Sequence, residues 1–170
     1  MRLADEIPDL PDAYLVELGR VSVRWNMLET WINFALIRLA GKDITEGRSL
    51  VIFNHMAFPQ KLDVLGALIS ELLTNSSSCP WLAPYAKDVK PRLEEAQRRR
   101  NELIHAKWST ENGQVTRSKM TARGSLKIDI SPITVEEIRA VSDLIYEAAD
   151  ALNALIIWPS NSSDLPHKGQ

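Results

Sequence analysis

The chain of 170 residues has a formal net charge of −2, with 45% hydrophobic and 25% charged residues, the balance of a soluble globular protein. That length suffices to bury a core without a disulfide or metal staple, and no apolar run approaches the ~20 residues of a membrane span. The single cysteine, Cys79, excludes an internal disulfide and has no His or second Cys nearby to suggest a metal site, so a cytoplasmic setting is expected.

Residues 1–10 read as a polar lead-in with no signal-peptide core. The first helix is expected from about Pro11. Tyr14, Leu18, Val21, Trp25, Leu28, Ile32, Ala35 and Leu39 recur in an unbroken heptad register, and Gly41 is placed to end it. Trp31, Phe34 and Leu36 widen the stripe. Trp25 belongs to core packing first and to a dimer interface second, and Glu29 is a structural or interface candidate beside it. A short second helix, 46–55, stops at Phe58-Pro59, since a residue before proline avoids the helical region. The third follows with Leu62, Leu65, Leu68, Ile69, Leu72 and Leu73 on one side. His55 at the junction reads as a surface or capping histidine. Residues 75–80 form a Ser-rich loop, either a lid or a connector.

The fourth helix is expected from about Trp81–Pro84 to Lys107, kinked or broken at Pro91. Beyond Trp108 the period changes. Asn112-Gly113 signals a hairpin turn, Arg123-Gly124-Ser125 a second turn, and Leu126, Ile128 and Ile130 alternate with Lys127 and Asp129. A small antiparallel hairpin or three-stranded flap with one apolar face is expected over 109–130, too small to fold alone and so leaning on the helices. The last helix opens on a capping box, Thr134 with Glu137, inside an Ile133/Ile138 staple. Its heptad stripe is Ile138, Val141, Ile145, Ala148, Leu152 and Leu155. Pro159 stops it, and 159–170 reads as a disordered tail. The expected fold is all-α: one domain over 11–158, an up-and-down bundle of about five helices with a small β-hairpin insertion before the last helix.

Charge is unevenly spread. Lys87 to Lys127 holds 11 Lys and Arg against 5 Asp and Glu, a basic centre in an acidic chain, read either as a solvated face or as a polyanion-facing surface. Within it stands Arg98-Arg99-Arg100-Asn101-Glu102-Leu103-Ile104-His105. Arg98 and Arg99 follow Glu94 and Glu95 by four residues, which suits helix-surface pairs. Arg100 falls in the apolar stripe of Leu93, Ala96 and Leu103 with no local carboxylate. A guanidinium there needs a partner, either a carboxylate such as Glu29 or a ligand phosphate. Asn101 and His105 share a helix face, and Arg100 is about 100° around from Asn101. A cation, an amide and an imidazole form a phosphodiester-cleaving set without a metal or cofactor. Histidine moves a proton, arginine stabilises phosphorane charge, and the amide orients one of them. The bland alternative is a histidine favoured by the helix C-terminus plus a buried ion pair. A homodimer would bring two His105 and two Arg100 to one cleft.

Arg100-Asn101-Glu102-Leu103-Ile104-His105 resembles the signature of the HEPN superfamily, an Arg followed after four to six residues by His at the end of a long helix. Ala106-Lys107-Trp108 resembles the small residue and aromatic often next to it. Arg24-Trp25-Asn26-Met27-Leu28-Glu29 resembles the Trp-x-x-Leu-Glu stretch of some bacterial members, and Lys61 before Leu62 and Leu65 is similar to their third helix. The resemblance implies a dimeric, metal-independent RNA endonuclease of a toxin–antitoxin or phage-defence system, with Arg100, Asn101 and His105 catalytic. It also implies RNA as substrate and an antitoxin or regulatory protein as a possible partner. The family includes non-catalytic members that bind nucleic acid or protein. The flap departs from its minimal fold. Arg99, Lys107, Arg117, Lys119 and Arg123, with Lys127, are candidates to guide RNA through phosphate contacts.

Overall fold

In the computed structural model, residues 9–41, 47–75, 79–122 and 126–156 are described. The chain is mostly helical with one small antiparallel sheet. In order, these residues form α1 (Asp12–Leu39), α2 (Gly47–Asn54), α3 (Phe58–Asn75), a short 3-10 helix (Pro80–Tyr85), α4 (Val89–Ile104), β1 (Lys107–Glu111), β2 (Gln114–Ala122), β3 (Leu126–Pro132) and α5 (Val135–Ile156). The expected turn at 123–125, the stop at Pro159 and the tail lie outside the described residues, as does most of the N-terminal lead-in.

Two compact units divide the chain, Met1–Trp25 with Glu95–Ile145 and Asn26–Glu94 with Tyr146–Gln170, so α1 and α5 each contribute to both. In the first unit Val21, Trp25, Ala96, Leu103, Val115, Ile133, Ile138, Val141 and Ile145 are buried. Long-range polar contacts tie its elements together. Tyr14 Oη donates to Ile133 O at 3.1 Å, Arg24 pairs with Asp143, and Arg139 reaches Glu17 at 3.0 Å. In the second unit the buried set includes Leu28, Ile32, Leu36, Leu62, Leu65, Ile69, Leu82, Leu93 and Leu152. Asn33 Nδ2 donates to Asn54 Oδ1 there at 2.6 Å.

The local signals have identifiable structural consequences. Gly41 adopts φ 66° and its N–H donates to Arg38 O, the left-handed turn that ends α1. Thr134 N donates to Glu137 Oε2 at 2.7 Å and Glu137 N to Thr134 Oγ1 at 3.2 Å, a reciprocal capping box at the start of α5. Asn112 and Gly113 have φ 50° and 77° between paired Glu111 and Gln114, the two positive values that a type I′ hairpin requires.

Three expectations are corrected. Pro91 does not kink α4, because it stands in that helix's first turn, where a missing N–H removes no intrahelical bond. The interruption falls earlier, in the turn at 86–88. α4 ends at Ile104 rather than Lys107, and Trp108 already lies in β1, its Nε1 donating at 3.2 Å to Leu103 O. The apolar alternation of β3 does not mark the buried face of the flap: Ile128 and Ile130 are 57% and 65% exposed, and the opposite face of the sheet buries Val115 instead. Among the described residues, no helix is long and apolar enough to cross a membrane.

Candidate functional site

The last turns of α4 carry the candidate residues. Ala96 and Leu103 are fully buried, so the helix face that holds them is turned inward and carries Arg100 partway with it. The guanidinium is held by neighbours of a particular kind. Its carbon lies 5.1 Å from the centroid of the Trp25 ring, and Nη1 donates to Asn101 Oδ1 at 3.0 Å. Nε is buried with no hydrogen-bond partner. Among the described residues of this unit, no carboxylate lies within 4.0 Å of Arg100. The charge is therefore oriented by a π face and an amide but not neutralised. Stacking of this kind is worth ~0.5–2 kcal/mol depending on solvent exposure.

His105 follows the final helical residue. Its N–H still closes on Asn101 O at 3.2 Å, while the residue itself is exposed. Among the described residues no side chain hydrogen-bonds or ion-pairs with its imidazole. Arg100 and Asn101 are thus joined by a side-chain bond, and Asn101 and His105 by a backbone bond.

The other named residues divide sharply. Trp25 is 5% exposed and belongs to the core. Glu29 is half-buried on α1. Arg99 and Lys119 both turn to Glu102, at 3.7 and 3.9 Å, and Arg98 reaches the same carboxylate at 2.8 Å. Arg98 also pairs with Glu95 rather than Glu94, which takes Lys90 instead. The hydrogen bond from Arg98 holds the Glu95 carboxyl below its usual range, and the same bond raises the Arg98 guanidinium. Lys107 is exposed on β1, opposite Ser118. Arg123 lies outside the described residues.

Glu102 is the residue that the local pairing pattern overlooked. The available signal was its spacing, three and four residues after Arg99 and Arg98. It borders a surface depression of about 130 Å3, lined also by Ala106, Arg117, Ser118, Lys119, Asp129 and Ser131. Two carboxylates face two cations there, so this part of the basic centre is charge-mixed. Among the described residues no group of His, Cys, Asp and Glu is arranged to hold a metal ion. No family model matches the chain, and no curated protein or solved structure is significantly similar to it.

Proposed function

We propose that this chain is a metal-independent RNA endonuclease of the HEPN type, a toxin or phage-defence enzyme that acts as a homodimer. In this reading Arg100, Asn101 and His105 of two copies line one cleft. The observation that carries it is the state of Arg100: a guanidinium clamped by Asn101 and Trp25, with no neutralising carboxylate among the described residues of its unit, five residues before an exposed His105. A structural arginine in an apolar stripe is ordinarily paired, whereas one reserved for a transferred phosphoryl group is oriented and left charged.

One His105 takes the proton of a ribose 2′-hydroxyl, and the oxygen attacks the adjacent phosphorus. Arg100 stabilises the charge that develops on the non-bridging oxygens. The other copy's His105, protonated, gives its proton to the departing 5′-oxygen. The products are a 2′,3′-cyclic phosphate and a 5′-hydroxyl end. The associated fold is an up-and-down bundle of about five helices, supported by the helix count and by the buried heptad positions of α1 and α5. A cytoplasmic location is supported by the free, buried Cys79.

A second reading has its own observation. The His105 imidazole has no orienting side chain among the described residues, and catalytic imidazoles are normally held by a third group. That favours a non-catalytic module of the same type, binding nucleic acid or a regulatory protein such as an antitoxin, unless a second copy supplies the orienting group.

The deciding experiment incubates labelled RNA with wild type and with His105→Ala in the presence of a chelator. Endonucleolysis by wild type and a loss of ~10²–10⁴-fold in the variant, with an unchanged melting curve, is the expected result. Equal cleavage by both proteins would end the catalytic reading. Salt-sensitive binding with no product from either would establish the second.

A further inference from the structure

The sheet is ordered β1-β2-β3, which leaves β3 as an edge strand. Its backbone groups can be assigned to sides. Ile133 N donates to Val115 O at 3.1 Å, in the same register that pairs Thr116 with Pro132 and Lys119 with Asp129. Hydrogen-bonded pairs alternate along an antiparallel ladder. Residues 127, 129 and 131 therefore bond to β2, and 126, 128 and 130 present their N–H and C=O groups outward. The next outward position is Pro132, which has no N–H to present.

The side chains of this edge form a self-complementary pattern. Ile128 and Ile130 are exposed on one face, Lys127 and Asp129 are exposed on the other, and among the described residues neither of these charges has an ion-pair partner.

We infer that β3 pairs antiparallel with β3 of a second copy about a two-fold axis at Ile128, joining the two three-stranded sheets into one. This register sets Lys127 of each copy opposite Asp129 of the other as a non-hydrogen-bonded pair, the arrangement in which facing side chains are closest. Asp129 then lies in a cross-strand row between Lys119 of its own β2 and Lys127 of the other copy. Ile128 faces its own counterpart across the axis, so each copy covers the exposed Ile128 of the other. The outward groups at 126, 128 and 130 all find partners.

The charges also select the register. Moving the axis to 127 opposes two lysines, and moving it to 129 opposes two aspartates. A lysine on a bare edge ordinarily guards against pairing. Alternated with an acid two residues on, it admits one partner in one register. This interface rests on the strand alone, independently of the RNase reading.

The test uses the full chain and register-specific cross-linking. Ile128→Cys places two thiols opposite each other, with Cα atoms ~5.5 Å apart, and mild oxidation is expected to yield a covalent dimer. Ile130→Cys places them roughly 14 Å apart and is expected to remain uncross-linked. Both sites are exposed, so neither variant disturbs the core. In a parallel arm, Lys127→Glu and Asp129→Lys each raise the dissociation constant roughly tenfold or more in sedimentation at low salt, and mixing the two variants restores association. Equal cross-linking at both positions, none at Ile128→Cys, or a mixture as dissociated as its components would overturn the proposal. RNA cleavage is not read in either arm, so its outcome leaves this test untouched.

Discussion

Arg100 stacks over Trp25, its guanidinium carbon 5.1 Å from the ring centroid, and spends one N–H on Asn101 rather than on a carboxylate. That relationship separates two energetic situations. Breaking a buried ion pair leaves an uncompensated charge and destabilises by ~3–5 kcal/mol. Removing a stacked, hydrogen-bonded arginine forfeits only the stacking and one hydrogen bond.

Arg100→Ala is therefore expected to lower stability by about 1–2 kcal/mol, read from the midpoint of urea unfolding. A loss above ~3 kcal/mol would reveal a charge partner in the folded protein. The same variant should lose RNA cleavage far beyond what its stability explains, since the group that would meet the phosphate is gone.

Glu102 draws Arg98, Arg99 and Lys119 onto one carboxylate. Exposed ion pairs of this kind add little stability, but they lower the positive potential of the surface. Glu102→Gln is expected to strengthen binding of a short single-stranded RNA roughly two- to tenfold at low salt and to steepen its dependence on salt. Identical titrations for the variant and wild type would show that these cations do not face the polyanion.

Tyr85 gives a pH-dependent prediction. It is 2% exposed, its hydroxyl donates to Leu62 O at 3.4 Å, and burial, followed by the Glu94 and Asp63 charges, pushes its pKa well above the ordinary tyrosine value. A raised folded-state pKa favours the neutral form in the folded protein. Its contribution is fully present below the unfolded-state value near 10 and is lost as pH rises above it. Wild type should thus lose stability above pH ~10 more steeply than Tyr85→Phe, while the two differ by only ~1 kcal/mol at neutral pH. Parallel alkaline limbs in thermal melts would contradict this.

Much of the helical scaffold was legible because its signals are local. The heptad positions of α1 and α5 lie inward, with Val21, Leu28, Ile32, Ile138, Ile145 and Ala148 at 0% exposure, because a 3.6-residue period turns spacing directly into a face. The Thr134/Glu137 box and the Asn112-Gly113 turn need only their own neighbours. Pro91 carries no such local signal. A proline's effect depends on where the helix begins, and that beginning at Val89 follows the turn at 86–88 rather than any signal in the proline itself.

The sequence by itself determined the helices, their buried stripes, the hairpin turn and the stacking of His105 one turn beyond Asn101, since a four-residue spacing makes neighbours on one helix. Tertiary structure alone decided which groups those residues meet. Trp25 reaches Arg100 from another helix, Glu102 collects Lys119 from the sheet, and Ile128 and Ile130 face solvent where an apolar alternation suggested burial. Periodicity sorts side chains onto faces. Only the packing of one element against another decides what each face touches, and on β3 it leaves an apolar face and an unpaired edge exposed.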